Sequence, residues 1–80
     1  MRILLFGITR DIVGASVLNV DKNSYPLTTV RDLKTHLVNK YPDLAALSSL
    51  VIAVNNEYAR MDTTIREKDE IALIPPVSGG

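Results

Sequence analysis

Thr29 to Pro42 constrains the fold of this 80-residue chain more than any other stretch, because it is the clearest helix signal present. Val30, Leu33, Leu37, Val38 and Tyr41 recur at three- and four-residue spacing, which gathers them on one face of a helix. Arg31, Lys34 and Lys40 fall mostly on the other face. The Thr29 hydroxyl can accept from the free N–H groups of the first turn, and Asp32, three residues on, completes a capping-box pattern. Pro42 closes the helix, because the residue before a proline avoids the helical region. The stripe reads as core, with no cofactor role.

The other apolar segments are too short for helices of this kind and read as strands. Ile3 to Ile8 is a continuous apolar run, expected as a strand covered on both faces and central in a sheet. Arg10 to Val13 reads as one helical turn stopped by Gly14. Ala15 to Val20 alternates loosely and is expected to return antiparallel beside the first strand. Asp21 to Pro26 is a polar turn. Asp43 to Leu50 reads as a short second helix or turn, with Leu44, Leu47 and Leu50 as its core contacts. Val51 to Val54 is a third strand. Asn55-Asn56 fits a tight hairpin turn, since asparagine tolerates positive φ, and Glu57 to Arg60 is the return strand. Thr63 to Lys68 is polar and turn-like. Ile71 to Ile74 is the last strand, ended by Pro75-Pro76, which cannot donate to a ladder. Hairpin-linked strands around one long helix argue an α+β domain with a sheet of about four to five strands, one face on the helix and one open. The expected organisation is a single domain over 1–80, with 75–80 as an extended tail.

Composition narrows the function classes. Lys and Arg balance Asp and Glu at net charge zero, which argues against nucleic acid or an anionic membrane as an electrostatic partner. No segment approaches a membrane-spanning length, and the apolar run after Arg2 is too short for a signal peptide, so a cytoplasmic location is expected. Cysteine is absent, so thiol chemistry is excluded and no disulfide staples the fold. His36 stands alone without a nucleophile or metal partner nearby in sequence and reads as a surface or flanking residue.

The tail Pro75-Pro76-Val77-Ser78-Gly79-Gly80 is the candidate functional device. Extended, six residues reach at most about 20 Å. Two prolines pre-set part of the path and lower the entropy lost on insertion elsewhere. Ser78, Gly79 and Gly80 are small enough for a close-walled passage, and Val77 supplies one apolar grip. The terminal carboxylate at Gly80 is ionised at neutral pH and is a poor electrophile until activated, most simply as a mixed anhydride with AMP. The chain has no phosphate-binding loop or nucleotide fingerprint, so activation is expected from a separate ATP-using enzyme. The product would be an amide, a thioester or a thiocarboxylate.

Three segments carry a family resemblance. Ile3 to Gly14 (ILLFGITRDIVG), Ala53 to Glu57 (AVNNE) and Asp69 to Gly80 (DEIALIPPVSGG) are similar to the opening, central hairpin and C-terminal signature of the molybdopterin synthase small-subunit family. The resemblance implies a ubiquitin-like β-grasp fold and a sulfur carrier that binds no cofactor. It implies that Gly80 is adenylated by an ATP-dependent activating and sulfur-transfer enzyme and becomes a thiocarboxylate (1-thioglycine). The tail would then enter the large subunit of the synthase, within a heterotetramer of two small and two large subunits, and give its sulfur to a cyclic pyranopterin. Gly79 would permit insertion, and Phe6, Arg10 and Ile74 fall where the family places partner contacts. From the residues alone, Phe6 and Ile74 read equally well as core, and Arg10 as a solvated charge.

Two positions depart from the family pattern. Lys68 and Asn56 stand where glycine is common, and a positive φ at Lys68 would cost about 1 kcal/mol. Other customers share the fold and the terminal glycines: thiazole or cysteine synthesis, a protein modifier, or a noncovalent ubiquitin-like module.

Overall fold

The computed structural model describes residues 1–21, 27–47 and 49–75. The chain runs β1 (Arg2–Leu5), α1 (Ile8–Val13), β2 (Val17–Asn19), α2 (Val30–Lys40), a 3₁₀ turn (Pro42–Ala46), β3 (Val51–Val54), β4 (Glu57–Tyr58) and β5 (Glu70–Ile74). The five strands form one mixed sheet in the order β2-β1-β5-β3-β4. β1 and β5 are parallel, with Ile3 opposite Ile71 and Leu5 opposite Leu73, and the other pairs are antiparallel. This is the β-grasp arrangement that the family resemblance implies, and it bears out the α+β class read from the element pattern.

Alternation along the strands divides the sheet into two faces. Ile3, Leu5, Ile52, Ile71 and Leu73 point into the core with Val30, Leu33 and Leu37 of α2. Leu33 and Leu37 are fully buried, and each contributes about 1.5–3 kcal/mol by leaving water. Val38, Tyr41, Leu47 and Leu50 pack around the edge of this cluster, and Leu44 of the 3₁₀ turn closes it. His36 is half-buried on α2.

The start of α2 is held by both its own residues and a distant segment. The Thr29 hydroxyl accepts from the Asp32 N–H at 3.3 Å, and the Asp32 carboxylate accepts from the Thr28 and Thr29 N–H groups at 3.0 and 3.1 Å. The remaining first-turn donors, Val30 and Arg31, reach the carbonyls of Thr63 and Met61 at 2.9 Å each. A helix leaves its first four N–H groups without helical partners, and here those of Thr29, Val30, Arg31 and Asp32 are all satisfied before the first helical bond, Leu33 N–H to Thr29 O at 3.1 Å. The 61–65 segment, read only from Thr63 on and there only as a polar turn, is thus a structural brace: Ile65 is wholly buried, and Thr64 bridges Thr29.

The hairpin between β3 and β4 follows its sequence signal. Asn55 and Asn56 have φ of 52° and 69°, the pattern of a type I′ turn. The Asn55 amide also donates to Asp69 Oδ1 (2.9 Å) and accepts from the Glu70 N–H (3.0 Å), which ties the turn to the start of β5. Among described non-glycine residues only these two have positive φ, so Lys68 carries no backbone strain.

The first strand departs from expectation. It ends at Leu5 instead of continuing to Ile8, and Leu4 on the outer face is only half-buried, so β1 is not covered on both faces. Gly7 at φ 55° and ψ −133° turns the chain out of the sheet. Thr9 holds that turn: its buried hydroxyl accepts from the Phe6 N–H at 3.0 Å and donates to the Phe6 carbonyl at 2.6 Å. The helical turn therefore starts at Ile8, earlier than Arg10, and ends as expected at Gly14 in the left-handed conformation. β2 and β4 are shorter than read, at Val17–Asn19 and Glu57–Tyr58, and both are edge strands. The polar turn expected over Asp21 to Pro26 lies outside the described residues beyond Asp21.

Two measurements check these local devices. Thr9→Val keeps the shape but leaves the Phe6 N–H without its acceptor, and urea denaturation should show a loss of about 1–3 kcal/mol. The backbone N–H groups of Thr28 and then Thr29 hold the Asp32 carboxyl below its ordinary value of 3.8. A lowered folded-state value means that stability is present in full above pH 3.8 and is lost as pH falls through the folded value. The melting-temperature gap between the wild type and Asp32→Asn should therefore be widest near neutrality and close progressively below pH 3.8.

Candidate functional site

The parallel register decides what surrounds the base of the tail. Because Leu5 pairs with Leu73, the next residues along both strands, Phe6 and Gly7, come beside Ile74 and Pro75. β3 adds Val51, which pairs with Ile74. Of the expected partner-contacting residues, Phe6 is 49% exposed, Ile74 is half-buried at the end of β5, and Arg10 is exposed on α1. Phe6 is therefore outside the core. The chain leaves the sheet among these residues, and Pro75 is half-buried there. The remaining tail residues expected to act, Pro76, Val77, Ser78, Gly79 and Gly80, lie outside the described residues.

A row of small and apolar residues extends from this point across the sheet face opposite α2. Val17, Leu4, Ala72, Ala53 and Tyr58 are successive register partners from one edge to the other. Ile3, Leu5, Ile52, Ile71 and Leu73, which alternate with Leu4, Ala53 and Ala72, point into the core, so the row faces outward. Ala53 is buried yet outside the core cluster, consistent with that outer placement. Tyr58, on the edge strand, is 80% exposed, and Ile8 and Val51 add further exposed apolar surface. Such large side chains in water, around small central alanines, make this face a candidate surface for meeting another protein. Sequence reading missed Tyr58, Val51 and Ile8. Tyr58 had a local signal, since its hairpin neighbours settle which face it takes, but Val51 could be assigned only with the pairing in view.

A concavity of about 540 Å³ lies between the β3–β4 hairpin and the loop before β5. It sits at the start of β5, the end away from Pro75, and two of its polar side chains are engaged within the fold: Asn55 is bound to Asp69 and Glu70, and Asp69 Oδ2 accepts from the Arg66 N–H at 2.7 Å. Among the described residues no group of three or more His, Asp or Glu side chains is placed to hold a metal ion. Nor is any helix among them long and apolar enough to cross a membrane.

Comparisons with known proteins agree over the whole chain. Residues 3–80 match the model of the ThiS family. The molybdopterin synthase sulfur carrier subunit of Dictyostelium discoideum is 38% identical over 85 residues, spanning 99% of this chain and 94% of that protein. Its counterpart in Arabidopsis thaliana is 35% identical over 81 residues, spanning 100% of this chain and 82% of that one. The solution structure of small archaeal modifier protein 1 from Methanosarcina acetivorans superposes with a TM-score of 0.77 at 27% identity, over 99% of this chain and 94% of that one. With the ubiquitin-like β-grasp fold and a sequence match from the first strand through the final glycines, this chain belongs to the ThiS family.

Proposed function

We propose that this chain is the sulfur carrier subunit of a molybdopterin synthase, with Gly80 as the residue that bears the sulfur. The observation that carries the reading is the full-length similarity to relatives named as that subunit, at 35% and 38% identity. An ATP-dependent enzyme joins the Gly80 carboxylate to AMP with release of pyrophosphate. A sulfide-equivalent nucleophile then displaces AMP, and the chain ends in a thiocarboxylate. The chain acts in the cytoplasm as a tethered cosubstrate, consumed and recharged, and the catalytic groups lie on its partners.

The partner that receives the sulfur is the large subunit, two copies of each chain forming the assembly. The apolar row across the outer face, with Phe6, Ile74 and Arg10 around the tail base, supplies the docking surface in this reading. Gly79, Ser78, Val77, Pro76 and Pro75 form the segment that enters the partner, where the sulfur passes to a cyclic pyranopterin. Docking the flat face first makes delivery of the tail intramolecular, which raises its effective concentration at the acceptor.

Intact mass after incubation with ATP, a sulfide source and extract of the native host tests the chemistry. The expected result is a gain matching one oxygen replaced by sulfur, absent from a Gly80-deleted chain. An unchanged mass in extract that charges a known carrier overturns the reading, and isopeptide adducts on lysines would make the chain a protein modifier instead. The docking face has its own check: Phe6→Ala and Tyr58→Ala should each weaken binding to the large subunit about tenfold or more by calorimetry, with melting temperatures near that of the wild type.

A further inference from the structure

We infer that Gly7 is a positioning residue for the tail, its missing side chain forming the seat against which Pro75 starts the chain end off the sheet. The inference rests on the sulfur-carrier reading, because it gives Gly7 a part in delivering Gly80. A Cβ added at Gly7 would lie 3.0 Å from Pro75 Cγ, tighter than nine in ten real Cβ contacts, so that the proline must give by a few tenths of an ångström. The proline ring closes onto its own backbone, so Cγ yields by repuckering within the ring and beyond that only by moving the chain where the tail begins.

The seat itself is rigid. Gly7 has φ 55° and ψ −133°, and the hydroxyl of Thr9, wholly buried, engages both the N–H and the carbonyl of the preceding Phe6. The Gly7 carbonyl also accepts from the Arg10 N–H at 3.1 Å. A turn held on both sides cannot retreat from the proline. Gly14 supplies the internal contrast. It too has positive φ, 85°, but nothing lies within 4 Å of a Cβ built there. Glycine at 14 answers only to backbone conformation, whereas glycine at 7 answers to conformation and to Pro75.

Single-turnover sulfur transfer from the thiocarboxylated chain to its large-subunit partner tests the seat. Gly7→Ala should lower the rate constant at saturating partner by about tenfold or more, the scale of a small misplacement of a reacting group. In the Pro75→Ala background, which removes Cγ, the same substitution should cost less than about threefold. Gly14→Ala should lower the melting temperature by backbone strain yet hold the transfer rate within about threefold of wild type. An equal effect of Gly7→Ala in both backgrounds, or a Gly14→Ala defect as large as that of Gly7→Ala, overturns the proposal. A second measurement needs neither folding of the variants nor sulfur: nuclear Overhauser contacts between the Gly7 α protons and the Pro75 ring in the free wild-type chain. Their absence overturns the seat directly. If the wild-type chain takes no sulfur at Gly80, the carrier reading falls, and these contacts alone then decide whether the seat exists.

Discussion

Parallel pairing between β1 and β5 joins the two ends of the sequence into the middle of one sheet. A parallel pair cannot be closed by a hairpin, so the chain between them must cross over, and α2 makes that crossing on one face. The core then assembles from Ile3 and Leu5 on one strand, Ile71 and Leu73 on the other, and Val30, Leu33 and Leu37 above them. The same pairing brings the end of β1 to the end of β5. That is why a turn built around Phe6 and Gly7 sits where the chain departs at Pro75.

The two faces of the sheet meet opposite demands. The inner face holds large branched side chains, and its burial provides most of the stabilisation available to a domain without disulfides. The outer face has alanines at its centre and exposed Phe6 and Tyr58 toward its margins. Exposed apolar surface costs hydration in the free chain and is recovered only on docking. A flat alanine floor with aromatic margins suits a partner that covers the face while a narrow extension reaches beyond it. In the proposed reading the domain separates recognition, on the sheet, from chemistry, on the tail.

Local devices were legible because their causes lie within a few residues. Thr29 with Asp32 reads as a cap, Asn55-Asn56 as a hairpin turn, Gly14 as a helix stop and Val51 to Val54 as a strand, and the structure has each of them. The first strand was misread because an unbroken apolar run carries no periodicity to mark its end. Phe6 and Ile8 look like core by residue type, yet the turn at Gly7 carries both to the surface. The 61–65 brace was missed for the opposite reason. From Thr63 on it reads as a polar turn, while the carbonyls of Met61 and Thr63 satisfy the helix start, and carbonyls are common to every residue.

The sequence by itself determined the α+β class, the helix and its cap, the position of the hairpin, and the small-residue tail with its reactive candidate at Gly80. Those follow from residue chemistry and short-range spacing. Only the tertiary structure decided that β1 lies beside β5, that Val17, Leu4, Ala72, Ala53 and Tyr58 share one outer row, and that Gly7 meets Pro75. The physical reason is register. A strand's side chains alternate with a period of two, so which residues line a face, and which distant residue each one meets, is settled only when the pairing is formed.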